Sequence, residues 1–215
     1  MRTSLLASTG LLALGAVAAP SPSNPWNGWG FKGNGHCMND AQANKVANNF
    51  RSLIAAYTND LANAVLSPTV HDYSDSVNEL IDGGCPSGPV ALGAATFDSL
   101  AAFEAGQGGQ PNITFDLLNV WHNCDTVTLR WRSTLPNPGP NPPPPAVQEQ
   151  VTGIVAIETK WNGWQAAQQF LIQTIYSEFN SGAWLYDLGV FKPTCAAAKK
   201  RSEALPAFFA GRVKA

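Results

Sequence analysis

Two histidines and two aspartates carry the acid–base chemistry that this chain has to offer: His71, Asp72, His122 and Asp125. Histidine titrates near neutrality, and a neighbouring carboxylate fixes which ring nitrogen holds the proton. Such a pair can move a proton to or from a bound molecule. His71 and Asp72 are adjacent on a predicted strand, so their side chains point to opposite faces and cannot form a local pair. His122 depends on register. If the turn is Cys124-Asp125 only, His122 pairs with Val127 and faces inward with Val120 and Leu118. A three-residue turn brings Trp121 and Asn119 inward instead. The plain alternative for His122 is a rim or surface residue. Ser and Asp near His71 make no nucleophilic triad by sequence proximity, and no phosphate loop or metal motif occurs. His71, His122 and Asp72 are therefore the catalytic candidates, with no assigned reaction, no metal and no cofactor.

The second chemical resource is the set of four cysteines, Cys37, Cys85, Cys124 and Cys195. They contain no Cys-x-x-Cys pair, and only His36 and His122 lie close to a cysteine, which argues against zinc. An even count in an exported chain reads as two disulfides, with three connectivities open. The preferred pairing is Cys85 with Cys124 and Cys37 with Cys195, the latter tying the first helix to the tail. Export is expected from the start of the chain. Arg2 precedes an uncharged apolar run from Leu5 to Val17, and Ala16-Val17-Ala18 supplies the small residues of a cleavage site. About 13 apolar residues are too few to span a bilayer. Residues 1–18 thus read as a signal peptide, 19–36 as an irregular Pro/Gly/Trp-rich arm, 37–195 as the domain and 196–215 as a tail.

Formal net charge is −2 and charged residues make up 13% of the chain, with no basic stripe, so nucleic acid is an unsuitable partner. No later segment is long and apolar enough for a membrane helix. Asn112-Ile113-Thr114 is an acceptor sequon for N-glycosylation. Lys199-Lys200-Arg201 in the tail reads as a solvated charge cluster or a processing site.

The elements that must position these groups follow from periodicity. Asn39 and Gln42 can form a capping box for a helix whose apolar face runs through Val46, Phe50, Leu53, Ile54, Tyr57 and Leu61, with Pro68 ending the helical region. Val70 to Ser74 reads as a short strand. Ser76 and Glu79 suggest a second capping box, for a helix ending at Gly83-Gly84, and a third helix is expected from Thr96 to about Ala105. The period then changes to two. Asn112–His122, Thr126–Thr134, Gln150–Lys160 and Trp164–Phe179 read as strands. The proline run from Pro136 to Pro145 cannot pair in a sheet and reads as an exposed loop. Asn162-Gly163 signals a tight hairpin. Helices first and a meander after give an α+β fold.

Within that frame, Asp125-Thr126-Val127-Thr128-Leu129-Arg130-Trp131 resembles a characteristic strand of the nuclear transport factor 2-like superfamily, especially its polyketide-cyclase-like (SnoaL-like) branch. Tyr176 to Asn180 and Leu188-Gly189-Val190 are similar to that branch's terminal strand and tail. His71-Asp72-Tyr73-Ser74 and Trp121-His122 resemble stretches of secreted fungal members. The resemblance covers about residues 39–193. It implies a cone-shaped, curved antiparallel sheet with three N-terminal helices on its concave face and a cavity inside. Family members include dehydratases, isomerases and cyclases, and also binding and dimerisation domains, so the fold does not settle the function. Where the branch often has Asp, this chain has Asn180, which cannot ionise. Glu178, two residues earlier, could substitute, or could simply pair with Arg130 or Arg132 across the sheet.

The resemblance makes Tyr57, Tyr73, Trp121, Trp131 and Tyr176 the expected lining of an apolar cavity for a flat apolar molecule. Three functions compete. The first is a secreted module that binds a small apolar molecule. The second is a dehydratase-, isomerase- or cyclase-type enzyme using His and Asp or Glu. The third is an interaction module, which forms a homodimer or grips a host surface through the outer face of the sheet. An inward His bonded to an inward carboxylate would favour the enzyme, and an exposed apolar patch on the outer face would favour the interaction module.

Overall fold

The computed structural model describes residues 36–85, 88–139, 147–190 and 192. The expected signal peptide, the arm with its tryptophans, much of the proline run, Cys195 and the tail with Lys199-Lys200-Arg201 lie outside the described residues. In chain order the elements are α1 (Asp40–Ala55), α2 (Asn59–Val65), β1 (Leu66–Tyr73), α3 (Asp75–Ile81), α4 (Leu100–Gly108), β2 (Asp116–His122), β3 (Thr126–Ser133), β4 (Val151–Trp161), β5 (Phe170–Phe179) and α5 (Ser181–Asp187).

The start of α1 follows from its capping box. Asn39 Oδ1 accepts the Gln42 N–H and Gln42 Oε1 accepts the Asn39 N–H, both at 2.9 Å. Val46, Phe50 and Leu53 fall on one buried face. The helical stretch expected to run on to Pro68 is in fact two helices. Thr58 breaks it by capping α2, its hydroxyl accepting the Leu61 N–H at 3.1 Å. Pro68 sits inside β1. That strand lies at the edge of the sheet, where a missing N–H costs little. Ser74, not Ser76, caps α3, through the Val77 N–H at 3.0 Å. Gly83 and Gly84 then turn the chain with φ of +61° and +75°, values open to glycine without strain.

The five strands form one sheet in the order β1-β5-β4-β3-β2. β2 to β5 form an antiparallel meander, but β1 pairs parallel to β5, so the sheet is mixed rather than antiparallel throughout. The reason is topological. The chain leaves β1 through α3 and α4 to the far edge, then returns strand by strand until β5 lies beside β1. Helix α2 lies against both α1 and α4, all three lie against the strands, and α3 packs on α5 and the end of β5. The core between them holds Val127, Leu129 and Trp131 of β3, Val155 and Ile157 of β4 and Ile172 and Ile175 of β5, with Phe50, Leu53, Val65 and Phe103 from the helices. Trp131 stacks on Phe115 with ring centres 4.4 Å apart. Gly153 lies opposite it, where a Cβ would stand 2.7 Å from Trp131 Nε1, so only glycine lets the indole in.

Three connections differ from the sequence reading. Asn162-Gly163 does not make a two-residue turn. The β4–β5 loop spans 162–169, closed by the Asn162 N–H donating to the Gln169 carbonyl at 2.7 Å. The chain after β5 is helical, because Asn180 Oδ1 accepts the Ala183 N–H at 3.1 Å and caps α5. The preferred disulfide pairing is also overturned: Cys37 bonds Cys124. The Met38 N–H donates to the Cys124 carbonyl at 2.9 Å, which holds the entry to α1 against the β2–β3 turn and brings the two cysteines together. Cys85 is exposed and unbonded.

Candidate functional site

The alternation of β1 separates its two titratable neighbours as strand geometry requires. Asp72 pairs with Ile175 of β5 and shares its buried face, whereas His71 pairs with Thr174 on the outer face. Backbone bonds lock Asp72 in place. Its N–H donates to the Phe97 carbonyl at 2.8 Å, and its carbonyl accepts the Thr96 N–H at 2.8 Å. The residue is only 7% exposed, and its Oδ1 is buried without a hydrogen-bond partner. Burial, and then the charge of Glu178, push its carboxyl up to about 7. Asp72 is thus a carboxyl that changes its charge near neutrality.

No histidine comes to meet it. His71 lies across the sheet, its Nδ1 3.2 Å from the Thr69 carbonyl. His122 pairs with Val127, as the tight-turn register requires, so it faces the helix side with Val120. A bulge at Leu118 brings Leu117, not Leu118, inward beside Trp131. His122 is nevertheless a rim residue. It lies on β2, at the opposite edge of the sheet from Asp72, four strand spacings or roughly 19 Å away. Its Nε2 is 2.8 Å from Oδ1 of Asp40, a carboxylate 96% exposed at the start of α1. That bond, and a second to the Asn123 carbonyl, raise its pKa. Asp125 serves its turn: its N–H and that of Thr126 both donate to Asn123 Oδ1.

The expected cavity lining divides between two faces. Trp131 is in the core, between Phe115 and Phe179. Tyr57 packs near Phe103 and gives its hydroxyl hydrogen to Asn59 at 2.9 Å. Tyr73, Trp121 and Tyr176 do not line the interior. Each pairs with a residue of the outer face, because the registers that bury Asp72, Val127 and Ile175 turn their neighbours outward. One cross-strand row there reads Tyr73, Tyr176, Ala156, Thr128, Trp121, and the next reads Glu178, Ile154, Arg130, Asn119. Tyr73 and Tyr176 stack with centres 5.6 Å apart, and Tyr73 stacks in turn on His71. Tyr73, Tyr176, Trp121 and Ile154 are 36%, 45%, 51% and 53% exposed, which makes a broken apolar patch on an otherwise polar face. Ile154 was absent from the sequence-based candidates. Its alternation with Val155 was the available signal.

Glu178 does not pair with Arg130 or Arg132. Its carboxylate accepts the N–H groups of Asp75 and Ser76 at 3.0 Å and anchors the first turn of α3, while Arg132 pairs with Asp116 at 3.1 Å. Among the described residues no three His, Cys, Asp or Glu side chains come together as a metal site, and no helix is long and apolar enough to cross a membrane.

Residues 36–191 match the family model described as NTF2-like domain. The fold is similar to that of a candidate polyketide cyclase from Bacillus cereus, at 13% identity and a TM-score of 0.48 over 70% of this chain and 83% of that one. It is also similar to IdmH, a candidate polyketide cyclase from Streptomyces antibioticus, at 12% identity and a TM-score of 0.46 over 69% and 99%. A candidate ketosteroid isomerase from Kribbella flavida matches at 9% identity and a TM-score of 0.44 over 77% and 88%. Among curated proteins none matches. With the family model spanning most of its length, the chain belongs to the NTF2-like domain family.

Proposed function

We propose that this protein is a secreted interaction module that works through the outer face of its sheet and takes a second copy of itself as partner. The observation that carries this reading is the exposed patch of Tyr73, Tyr176, Ile154 and Trp121. Its arrangement is self-complementary. Glu178 and Arg130 flank Ile154 from the two neighbouring strands. A two-fold axis running along β4 sets Glu178 of each copy against Arg130 of the other and Tyr73 against Trp121, with Ile154 and Ala156 on the axis. The Cys37–Cys124 bridge supports export, since disulfides persist in oxidising compartments. Exposed Asn112 is open to glycosylation in the same compartment. Sedimentation of the mature chain tests the reading. A dimer that Ile154→Lys converts to a folded monomer is expected; a wild-type chain monomeric at about 100 µM, a concentration at which a standard-sized interface is occupied, would sink it. A mature N-terminus near Ala19 is expected in the exported protein.

A second reading rests on Asp72. A buried carboxyl that titrates near 7 can anchor a polar group of a small apolar ligand at the inner face, or exchange a proton with it. Without a histidine partner, binding fits this group better than turnover. Quenching of intrinsic fluorescence by a cyclic hydroxy-ketone, lost in Asp72→Ala, would support this second site. Multiple turnovers of the same probe would make it an enzyme.

A further inference from the structure

The β4–β5 loop is unlike the rest of the surface. From Trp161 to Phe170 the chain reads Trp-Asn-Gly-Trp-Gln-Ala-Ala-Gln-Gln-Phe, ten residues without a charge, rich in amides and indoles. The loop folds back on α1 and borders an open cleft of about 240 Å³ lined by Gln42, Lys45, Val46, residues 166–169 and Phe170. Phe170, one of the lining residues, belongs to an aromatic cluster. Trp161 packs edge-on against Phe170 and Trp164 at 5.1 and 4.8 Å, and His36 stacks on Trp161 at 4.3 Å. Trp164 is 65% exposed although it is the largest side chain of the loop, and the Trp161 and His36 rings brace it in place.

The loop is held rather than loose. Gln42 Nε2 donates to Gln169 Oε1 at 2.6 Å, Lys45 Nζ to the Ala167 carbonyl at 2.6 Å, and Asn49 Nδ2 to Gln168 Oε1 at 3.0 Å. Gln169 Nε2 in turn holds the Trp164 carbonyl at 3.1 Å. These bonds fix the cleft and the indole relative to each other before any ligand arrives, which lowers the ordering cost of binding. They also leave capacity unused. With Oε1 engaged, Gln168 retains its Nε2 donors, and Lys45 retains two of its three.

We infer that this loop and the face of α1 beneath it form a binding site for a neutral saccharide. A braced, exposed indole offers a negatively polarised face. The C–H bonds on one side of a pyranose ring offer the complementary weakly positive surface. Amide groups that can both donate and accept match sugar hydroxyls, which do the same. Trp164 is not part of the lining of the cleft, which is smaller than the roughly 300–1,000 Å³ of sites for drug-sized ligands and so suits one ring of a saccharide chain while the indole is left to stack on another. The only charge on its lining is the Lys45 ammonium, which already donates to the Ala167 carbonyl, and a single cation offers a polyanion no row of charges to match its own. The site lies at the loop end of the β4–β5 hairpin and uses neither Asp72 nor the patch around Tyr176.

Calorimetric titration of the mature chain with cellotetraose, xylotetraose and chitotetraose tests the assignment, with oligogalacturonate as the charged comparison. At least one neutral probe should bind. Trp164→Ala should weaken that binding at least ten-fold with an unchanged melting temperature, Trp164→Phe should retain most of it, and Gln168→Ala should weaken it about three-fold or more. No heat from any neutral probe at about 10 mM, far above a weak lectin-like affinity, would overturn the assignment. So would binding indifferent to both Trp164→Ala and Gln168→Ala, or binding of oligogalacturonate as tight as that of the best neutral probe.

Discussion

The two faces of one sheet have opposite characters, although the same five strands build both. The inner face is Val127, Leu129, Trp131, Val155, Ile157, Ile172 and Ile175, all buried beneath helices, and Asp72 is the carboxyl set among them. The outer face carries Tyr73, Tyr176, Ile154 and Trp121 among Arg130, Glu158 and Glu178. Asp72 on the inner face loses its hydration and its carboxyl rises to about 7, whereas the exposed Glu178 on the outer face is used to accept three hydrogen bonds from the first turn of α3. Aromatics differ in the same way. Trp131 is spent on packing, whereas the tyrosine pair is left free to meet something else. The side of the strand, rather than the type of residue, decides whether a group supports the fold or is available to a partner.

The largest effect that separates the faces is expected at Trp131. Trp131→Ala removes a side chain stacked on Phe115 and wedged against Gly153, and should cost about 3–5 kcal/mol in denaturant unfolding. The same truncation of Trp121, half-exposed on the outer face, should cost well under about 1 kcal/mol. Equal costs would erase the distinction.

Asp72 allows a sharper comparison, because its contribution depends on pH. Its carboxyl holds a proton more tightly folded than unfolded, so the folded state binds more protons between the ordinary carboxyl value and about 7. Stability therefore falls as pH rises through that window, by an amount on the order of 4 kcal/mol for a shift of this size. Asp72→Asn cannot ionise. Relative to wild type it should gain stability at pH 8 and gain little or nothing at about pH 4. Paired denaturation curves at the two pH values decide this; a difference that does not change with pH would mean that Asp72 is not buried in solution.

This contrast was only partly legible in the sequence. Alternation in Thr126-Val127-Thr128-Leu129-Arg130-Trp131 displayed the buried and exposed sets of β3 directly. The opposite orientations of His71 and Asp72 followed from adjacency alone. The faces of Tyr73 and Tyr176 did not, because they depend on the parallel pairing of β1 with β5, a contact between residues about 100 positions apart that no local pattern encodes. The bulge at Leu118 hid the face of β2 in the same way. The Cys37–Cys124 bridge required knowing that the chain before α1 lies beside the β2–β3 turn. The β4–β5 loop misled for a chemical reason: its Asn-Gly promised a tight turn, but hydrogen bonds from the side-chain amides of Gln42 and Asn49 on α1 to Gln169 and Gln168 hold a longer loop open.

On the outer face, truncation should separate stability from association. Tyr176→Ala removes a stacked ring at a site 45% exposed, and should change folding stability by no more than about 1 kcal/mol. Its effect should appear instead in sedimentation, as loss of the dimer proposed for this face. If Tyr176→Ala unfolds the chain, the outer face belongs to the fold as much as the inner one does, and the division between the faces fails.

The smallest effect is expected where the inner face runs out, at His122. Asp40, then the Asn123 carbonyl, raise the pKa of the imidazole, and partial burial opposes them. A histidine raised in the folded state contributes stability that is fully present below its ordinary pKa of about 6.5 and is lost as pH rises through the folded value. Asp40→Asn should lower the His122 titration midpoint seen by NMR, though not to the ordinary value, because the bond to the Asn123 carbonyl remains. Asp40 also opens the first turn of α1, where a negative charge favours the helix, so the substitution costs some stability at any pH at which Asp40 is ionised. The two contributions separate by pH. The helix contribution persists at pH 8, whereas the His122 contribution is fully present at pH 5.5 and is lost as pH rises through the raised folded value. With Asp40 almost fully exposed, both should shrink in about 0.5 M salt. An unmoved His122 midpoint in Asp40→Asn would show that the 2.8 Å contact does not form in solution, and that the inner face ends at Val120 rather than at the rim.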